Sequence, residues 1–262
     1  MSPTNFSVVV LTTHAATNYA LIEALARKHR VSGIVFEHQT RLRIRLFLNR
    51  LRKLGIITVL DQAAYKILDL FIFGPRALHK MKSVLPPCLS QEFLAQTELV
   101  NVSSINSPMV TDFLARIKPE AVVVSGTSLL GTRVLQSLDG VPIVNVHCGI
   151  TPRYRGAHGA FWAVVNEDWE NVGTTVHLID AGIDTGGILF QERIPVEPDD
   201  APRDLALKQH LVGIRLACEA VSTIAENNVK IVHRADLDSR FYSSPTLSSY
   251  RTYLKKLHRR FG

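Results

Sequence analysis

The sequence predicts an α/β protein with an open, mostly parallel, doubly wound sheet of the Rossmann type. Residues 6–11 and 31–36 are short β-branched runs, and a helical pattern covers residues 18–30 between them. A strand, a helix and a second strand form the unit from which parallel sheets are built. Residues 120–126, EAVVVSG, form a continuous apolar run that is typical of a strand buried on both faces.

The other predicted elements continue this alternation towards the C-terminus. Pro108 suits the first position of a helix, and the apolar residues after Pro202 recur on one helical face. In chain order we expect a strand at residues 98–102, a helix at 107–117, a short helix near 132–138, a strand that ends at Asn145, a strand at 187–194 and a long helix at 202–226.

Two segments lie outside this alternation. Residues 39–95 have helical, leucine-rich patterns and predict a helical insertion after the second strand, and we expect Gly74-Pro75 to break its helix at residues 63–81. Residues 229–262 contain a short strand-like run, KIVHR, and a basic tail. The predicted organisation is therefore one main domain at residues 1–228, which includes the insertion, and a short basic C-terminal extension.

The net charge of +7 is concentrated in two short stretches. Residues 41–53 hold six basic side chains and no acidic one, and residues 251–260 hold five more basic side chains. Removing these eleven positive charges from +7 leaves −4 for the rest of the chain. A nucleic-acid role for the sheet domain is therefore not favoured. The basic helix 41–53 could contact a membrane surface or an anionic substrate, and the alternative is a helix with solvated arginines over an apolar core face.

Composition favours a cytoplasmic protein. The chain has 262 residues and is 46% hydrophobic, which is enough for one well-buried core. No apolar run approaches the roughly 18 residues that a transmembrane helix needs, and the N-terminus lacks the pattern of a signal peptide. Cys88, Cys148 and Cys218 are scattered and odd in number, so we expect reduced thiols and no metal-finger spacing.

Three polar residues carry the strongest chemical pattern in the chain. Asn145 and His147 end an apolar run, so both should leave the same face of a strand at its C-terminal end, where open α/β sheets bind ligands. Asp184 lies in a glycine-bracketed loop that can bring a carboxylate to the same cleft. An imidazole, an amide donor and an orienting carboxylate suit acid-base catalysis at a carbonyl that becomes tetrahedral.

The motifs around these residues resemble the folate-dependent formyltransferase family. They are Asn145-Val146-His147, the segment TPRYRG at residues 151–156, Thr175-Val176-His177 and Ile183-Asp184-Thr185-Gly186. The match is good over residues 100–196 and looser over the first strand and helix. The resemblance implies a formyltransferase-like, Rossmann-type catalytic domain and an amine acceptor. It implies that Asn145, His147 and Asp184 are catalytic, with protonated His147 and Asn145 stabilising the oxyanion.

The resemblance also implies a cofactor site. The donor would be 10-formyltetrahydrofolate, with no metal ion involved. The resemblance implies that the pterin would lie against two short segments. The first comprises Thr127, Ser128, Leu129 and Leu130. The second comprises Ala181, Gly182 and Ile183, beside Asp184.

The acceptor is expected to be a small-molecule primary amine, preferably an amino-sugar nucleotide or a related surface-glycan precursor. Asn18 remains where glycinamide ribonucleotide enzymes have a phosphate loop, but the loop glycine is absent, which argues against that substrate. Only about 35 residues follow the long helix, so tRNA is not favoured as a partner. A formyltetrahydrofolate hydrolase or a noncatalytic folate-binding protein is the alternative of a different class. The sequence does not determine the oligomeric state.

Four residues are predicted to bind the substrate: Asn18, Arg153, Tyr154 and His158. Arg153 and Arg155 could bind phosphate or the folate glutamate, with solvated loop arginines as the alternative. His158 could contact the acceptor or pack locally. His177 alternates with apolar neighbours on a strand, which predicts a hydrogen-bonded structural histidine.

Overall fold

The computed structural model describes residues 4–38, 51–52, 54–86 and 88–262. A seven-stranded sheet in the order β3-β2-β1-β4-β5-β7-β8 forms the centre of the molecule. Its strands are β1 (Thr4–Thr12), β2 (His29–Glu37), β3 (Glu98–Val102), β4 (Ala121–Ser125), β5 (Ile143–His147), β7 (Gly173–Leu178) and β8 (Ile188–Arg193). Strands β1 to β5 are parallel, whereas β7 and β8 run antiparallel at one edge. The predicted open, mostly parallel α/β sheet is confirmed.

Helices cover both faces of this sheet. They are α1 (Ala16–Ala26), α2 (Ile56–Leu68), α3 (Gly74–Val84), α4 (Gln91–Gln96), α5 (Pro108–Ile117), α6 (Thr132–Ser137), α7 (Gly159–Val165), α8 (Pro202–Ala225) and α9 (Leu247–Phe261). One apolar core packs α1 and α8 against one face, and a second packs α5 and α6 against the other. Because β4 is buried along its whole length, its apolar run needs cover on both sides.

The insertion between β2 and β3 is helical, as predicted, but its long helix does not break. Residues 69–73 form a π-helical turn that joins α2 to α3, and the flanking residues keep right-handed helical dihedrals. The expected break at Gly74-Pro75 is therefore wrong. A widened π turn accommodates the missing amide hydrogen and the ring of Pro75 without ending the helix. The basic segment 41–53 lies outside the described residues, except for Leu51 and Arg52.

The C-terminal residues pack onto the sheet domain. Strand β9 (Phe241–Tyr242) pairs with the two-residue strand β6 (Arg155–Gly156), and α9 buries Tyr253 and Leu257 in a third apolar cluster beside α7. The hydroxyl of Tyr253 donates to the carbonyl of Asp200 at 2.7 Å. The strand-like run after Val229 makes a single bridge, from Val232 to Ile188, and is not an extended strand.

None of the helices in the described ranges is long and apolar enough to cross a bilayer.

Candidate active site

A cavity of about 750 Å³ opens where β4, β5 and β7 end. Its walls come from parts of the chain that are distant in sequence: Leu54, the segment after β4, the end of β5, residues 156–157, the end of β7 with the loop that follows it, and the residues around β9. The lining residues include Val124, Thr127, Ser128, Leu129, Leu130, Asn145, His147, His177, Ala181, Gly182, Ile183, Asp184, Phe241, Tyr242, Ser243 and Ser244. This volume falls within the range of roughly 300–1,000 Å³ that small-molecule sites occupy.

His147 and Asp184 face each other in this cavity. Nδ1 of His147 lies 3.5 Å from Oδ1 of Asp184, and Nε2 of His147 is 2.7 Å from the carbonyl oxygen of Tyr154. A carbonyl can only accept, so Nε2 carries the hydrogen and donates it to Tyr154. In the neutral ring, Nδ1 is therefore the atom that remains to take a proton, directly beside the carboxylate.

Asn145 is held by a second histidine. Nδ1 of His177 donates to the carbonyl of Leu178 at 2.7 Å, which leaves Nε2 of the neutral ring as an acceptor. The Nδ2 group of Asn145 donates to that atom at 3.1 Å. Oδ1 of Asp184 is 3.6 Å from the same Nε2 atom. His177 thus orients the Asn145 amide and lies in the cavity wall. The sequence predicts a hydrogen-bonded structural histidine, and in the structure its hydrogen bond to Asn145 ties it directly to the site.

Burial sets the charge states of the two central groups. Burial lowers the pKa of His147 below its usual range, although the Asp184 carboxylate and the Tyr154 carbonyl partly oppose this shift. Burial also opposes ionisation of Asp184, but the pKa of this carboxyl is lowered overall, and the amide hydrogen that Gly156 donates to Oδ2 favours its ionised form. The site therefore holds a neutral imidazole beside a carboxylate near neutral pH. Burial disfavours the charged ring because the ring loses solvation when it becomes charged, and the expected role of protonated His147 at the oxyanion stays a prediction.

Close backbone approach makes two glycines necessary here. A Cβ at Gly149 would lie 2.7 Å from Nε2 of His147 and collide with the Tyr154 carbonyl, so a side chain there would separate that hydrogen-bonded pair. Gly156 has φ of +92° and donates its amide hydrogen to Oδ2 of Asp184 at 2.8 Å. Asp184 itself has φ of +52°, a left-handed conformation that asparagine and aspartate adopt most readily after glycine.

The seven residues predicted to bind the cofactor all line the cavity. The side chain of Asn106 also fixes the segment after β4. Its Nδ2 donates to the carbonyl of Leu129 at 2.9 Å, and its Oδ1 accepts from the backbone amide of Gly131 at 2.6 Å. Within the described residues, no group of three or more histidine, cysteine or acidic side chains is placed to hold a metal ion.

The four residues predicted to bind substrate lie outside the cavity lining. The Asn18 side chain is buried and joins β1 to β4: its Nδ2 donates to the carbonyl of Thr13, and its Oδ1 accepts from the hydroxyl of Ser125. Both ends of its carboxamide are therefore engaged in hydrogen bonds within the fold. His158 begins α7 with φ of +58° and is exposed.

Arg153 and Tyr154 are engaged elsewhere. The Arg153 guanidinium pairs with Asp168 and Asp238, both at 2.7 Å, which neutralises its charge. Tyr154 is buried and donates its hydroxyl to Asp168, so only its carbonyl faces the site, where it accepts from His147.

Sequence patterns did not predict the residues around β9 as part of the site. Phe241 is 58% exposed and lines the cavity, and its ring lies beside Gly156. The carbonyl of Ser243 accepts from the Trp162 indole at 2.9 Å, and that of Ser244 accepts from Gln62 at 2.9 Å. For this part of the site, the only signal in the sequence is the aromatic pair in the segment GAHGAFW. Trp162 of this segment stacks on Tyr242 of β9.

Relatives of known family share this fold and sequence pattern. A family model described as formyl transferase matches residues 80–221. Methionyl-tRNA formyltransferase of Trichlorobacter lovleyi is 30% identical over 154 residues, which cover 59% of this chain and 46% of that protein. The corresponding enzyme of Geobacter sulfurreducens is 30% identical over 180 residues, with 67% and 52% covered. This chain spans about half the length of such curated relatives.

Solved structures extend the similarity over nearly the whole fold. A sugar N-formyltransferase from Shewanella sp. aligns with 96% of this chain and 87% of its own at a TM-score of 0.57, with 14% sequence identity. Glycinamide ribonucleotide transformylase 1 from Symbiobacterium toebii aligns with 88% and 92% at a TM-score of 0.58, with 18% identity. At these identities the alignments establish a shared fold. Because the family model covers just over half of the residues, this chain belongs to the formyl transferase family.

Proposed function

We propose that this protein transfers a formyl group from 10-formyltetrahydrofolate to a primary amine, and that the amine belongs to an amino-sugar nucleotide or a related surface-glycan precursor. The convergence of Asn145, His147 and Asp184 on one cavity carries the proposal. These side chains supply a donor for a developing oxyanion, a proton acceptor and a carboxylate that stabilises the protonated acceptor.

The donor site fits a flat aromatic group with polar edges. The apolar residues Val124, Leu130, Ile179 and Ile183 line the cavity, together with the rest of residues 127–130 and 181–183. These segments would hold the pterin. The bound folate supplies the activated formyl group.

Asn145 and His147 have distinct parts in the proposed reaction. When the neutral amine adds to the formyl carbon, negative charge develops on the formyl oxygen. The second amide hydrogen of Asn145 donates to it, because His177 accepts the first. Nδ1 of His147 takes the proton that the amine loses, and the new imidazolium then faces Asp184. When the tetrahedral adduct collapses, the bond between the formyl carbon and the folate nitrogen would break and the same proton would pass to that nitrogen, which would release tetrahydrofolate and the formylated amine. Removing one donor of this kind typically lowers turnover by roughly a hundredfold or more.

Two features near the mouth of the cavity support a nucleotide-bearing acceptor. The exposed ring of Phe241 offers a surface on which a planar base can stack. Arg155 donates to the carbonyl of Ile183, beside Asp184, and its buried Nε atom has no hydrogen-bond partner. Among the described carboxylates none forms an ion pair with Arg155, so its charge is available for a phosphate, in contrast to that of Arg153.

The position of Asn18 argues against glycinamide ribonucleotide. Its side chain is buried between β1 and β4 and hydrogen-bonded on both sides. It is therefore not free to bind the ligand phosphate that the resemblance would place there.

An acceptor screen tests the proposal. The wild-type chain and His147→Ala would be incubated with 10-formyltetrahydrofolate and, separately, amino-sugar nucleotides, glycinamide ribonucleotide or initiator methionyl-tRNA. Tetrahydrofolate release would be followed by absorbance and formylated product by mass. We expect release that depends on an amino-sugar nucleotide and falls about a thousandfold in His147→Ala. Release without any amine would indicate a hydrolase, and formylation of glycinamide ribonucleotide alone would overturn the proposed acceptor.

A further inference from the structure

The outer face of the helical insertion is an apolar stripe, which we define as Ile56, Ile57, Leu60, Ala63, Ile67, Leu70 and Phe71. All seven side chains are exposed. Five of them follow a spacing of four and three residues, which places them in one row along α2 and the π turn. Ile57 and Phe71, at 81% and 73% exposure, lie at the two ends of the face. Exposed Ile72 and Leu78 continue it towards α3.

The opposite face of the same helix is fixed to the protein. Val59, Tyr65 and Phe73 are buried there, and Gln62 donates to the carbonyl of Ser244. Asp69 pairs with Arg203 through two hydrogen bonds of 2.7 and 2.8 Å. Because these contacts set the rotation of the helix, it cannot turn its apolar stripe inwards without losing them.

The charges around the stripe are positive. Both acidic residues of α2 and the π turn are bound on the inner side, Asp61 to Ser248 and Asp69 to Arg203. Lys66 is exposed beside Ile67, and Lys82 is exposed further along α3. Helix α9 packs against α2 through its N-terminal part and adds the exposed basic side chains of Arg251 and Lys255.

We propose that the apolar stripe docks on the surface of an anionic lipid bilayer, with the helix lying in the plane of the interface. A row of large apolar side chains bordered by lysine and arginine is the pattern that such interfacial helices use. A second copy of the chain is the competing occupant. The same positive groups would then face each other across a symmetric interface, and like charges disfavour that contact.

Docking in this way would bring the active-site cavity near the lipid surface. Leu54, which precedes the stripe by two residues, lines the cavity. The chemistry proposed above does not depend on this attachment, so the two proposals can fail separately.

Vesicle flotation tests the inference with the full-length protein. Vesicles of phosphatidylcholine alone would be compared with vesicles in which phosphatidylglycerol makes up about a quarter of the lipid. We expect the wild-type chain to float with the anionic vesicles only. In Ile57→Gln/Phe71→Gln the partition coefficient should fall about a hundredfold, because each lost apolar side chain accounts for roughly a factor of ten.

Matched controls separate docking from folding. Met109→Gln changes a side chain of α5 that is also exposed, at 57%, but lies outside the stripe, and it should bind vesicles like the wild type. Unchanged thermal unfolding and unchanged turnover of a soluble acceptor would show that Ile57→Gln/Phe71→Gln is folded. Wild-type protein that stays in the aqueous fraction, or binds neutral vesicles equally well, would overturn the proposal. A dimer in light scattering that the double variant loses, without vesicle binding, would assign the stripe to a second copy.

Discussion

The two walls of the cavity are built in different ways. Asn145, His147 and His177 belong to β5 and β7, two hydrogen-bonded interior strands of the sheet, and their side chains are fixed by carbonyls and by each other. The opposite wall contains Phe241, which belongs to a two-residue strand pair and is more than half exposed. The first wall is suited to chemistry, which needs fixed geometry, and the second to acceptor recognition, which a change of side chain can alter without disturbing the reacting groups.

Among the predictions that compare the two walls, the largest effect is expected for Asp184, whose carboxylate faces His147 of the first wall. Asp184→Asn keeps the shape and tolerates the left-handed backbone, but it removes the charge beside His147. We expect kcat to fall by about a hundredfold or more, because the protonated imidazole loses its partner. The measurement is steady-state tetrahydrofolate release, with an unfolding curve as the control for folding.

The pH profile of the same variant sharpens this prediction. His147 acts as a proton acceptor, so activity is present above its pKa and lost as the pH falls through it. Burial lowers that pKa, and we expect the acid limb of the wild-type profile below about 6.5. Because the Asp184 charge raises the His147 pKa, the limb should move to still lower pH in Asp184→Asn. An unmoved limb would show that the carboxylate does not act through His147.

A smaller effect is expected from the second wall. Phe241→Ala should raise KM for a nucleotide-linked acceptor about tenfold and leave kcat nearly unchanged, since a stacked base contributes roughly 1–3 kcal/mol. Phe261→Ala is the matched control, because this exposed phenylalanine lies at the end of α9 and does not line the cavity. A loss of kcat with unchanged KM would show that Phe241 acts in the chemical step. The two walls would then not divide chemistry from acceptor recognition.

The smallest expected effect concerns the support of the second wall. Tyr253→Phe removes the buried hydrogen bond from α9 to the Asp200 carbonyl and should lower the free energy of unfolding by about 1 kcal/mol. Chemical denaturation would measure the change. Tyr250→Phe, at a partly buried tyrosine of the same helix, is the comparison. Turnover should remain that of the wild type, and a raised KM in Tyr253→Phe would show that α9 also positions the acceptor wall.

The first wall could be predicted from sequence because its signals are local. Asn145 and His147 end an apolar strand, and the alternation of side chains along a strand places both on one side. The glycines around Asp184 indicated a loop that could bring its carboxylate to the cleft, whereas its left-handed backbone was not predicted. The role of His177 was underestimated, because its contact with Asn145 depends on the register between two antiparallel strands.

The second wall could not be predicted because its contacts are long-range. Strand β9 has two residues and pairs with residues 86 positions earlier in the chain, so it has no periodicity to detect. The same limit applies to Arg153, whose ion-pair partners Asp168 and Asp238 come from two other segments and could not be found from its local sequence. Arg153 and Arg155 lie two residues apart in one segment, yet only Arg155 is available to bind a phosphate. The reason is that the fold brings carboxylates close to Arg153.

The π turn at residues 69–73 has a consequence for how the insertion tolerates length changes. This turn holds one residue more than an α-helical turn would, and each residue of a helix corresponds to about 100° of rotation. Because the π turn absorbs one extra residue within a single turn, deleting one residue there would restore a regular helix and leave α3 in its present rotation, with Ala77 inward and Leu78 outward. The same deletion within α2 would instead rotate everything downstream by about 100° around the helix axis. The π turn is therefore the place in the insertion where a one-residue change of length is tolerated.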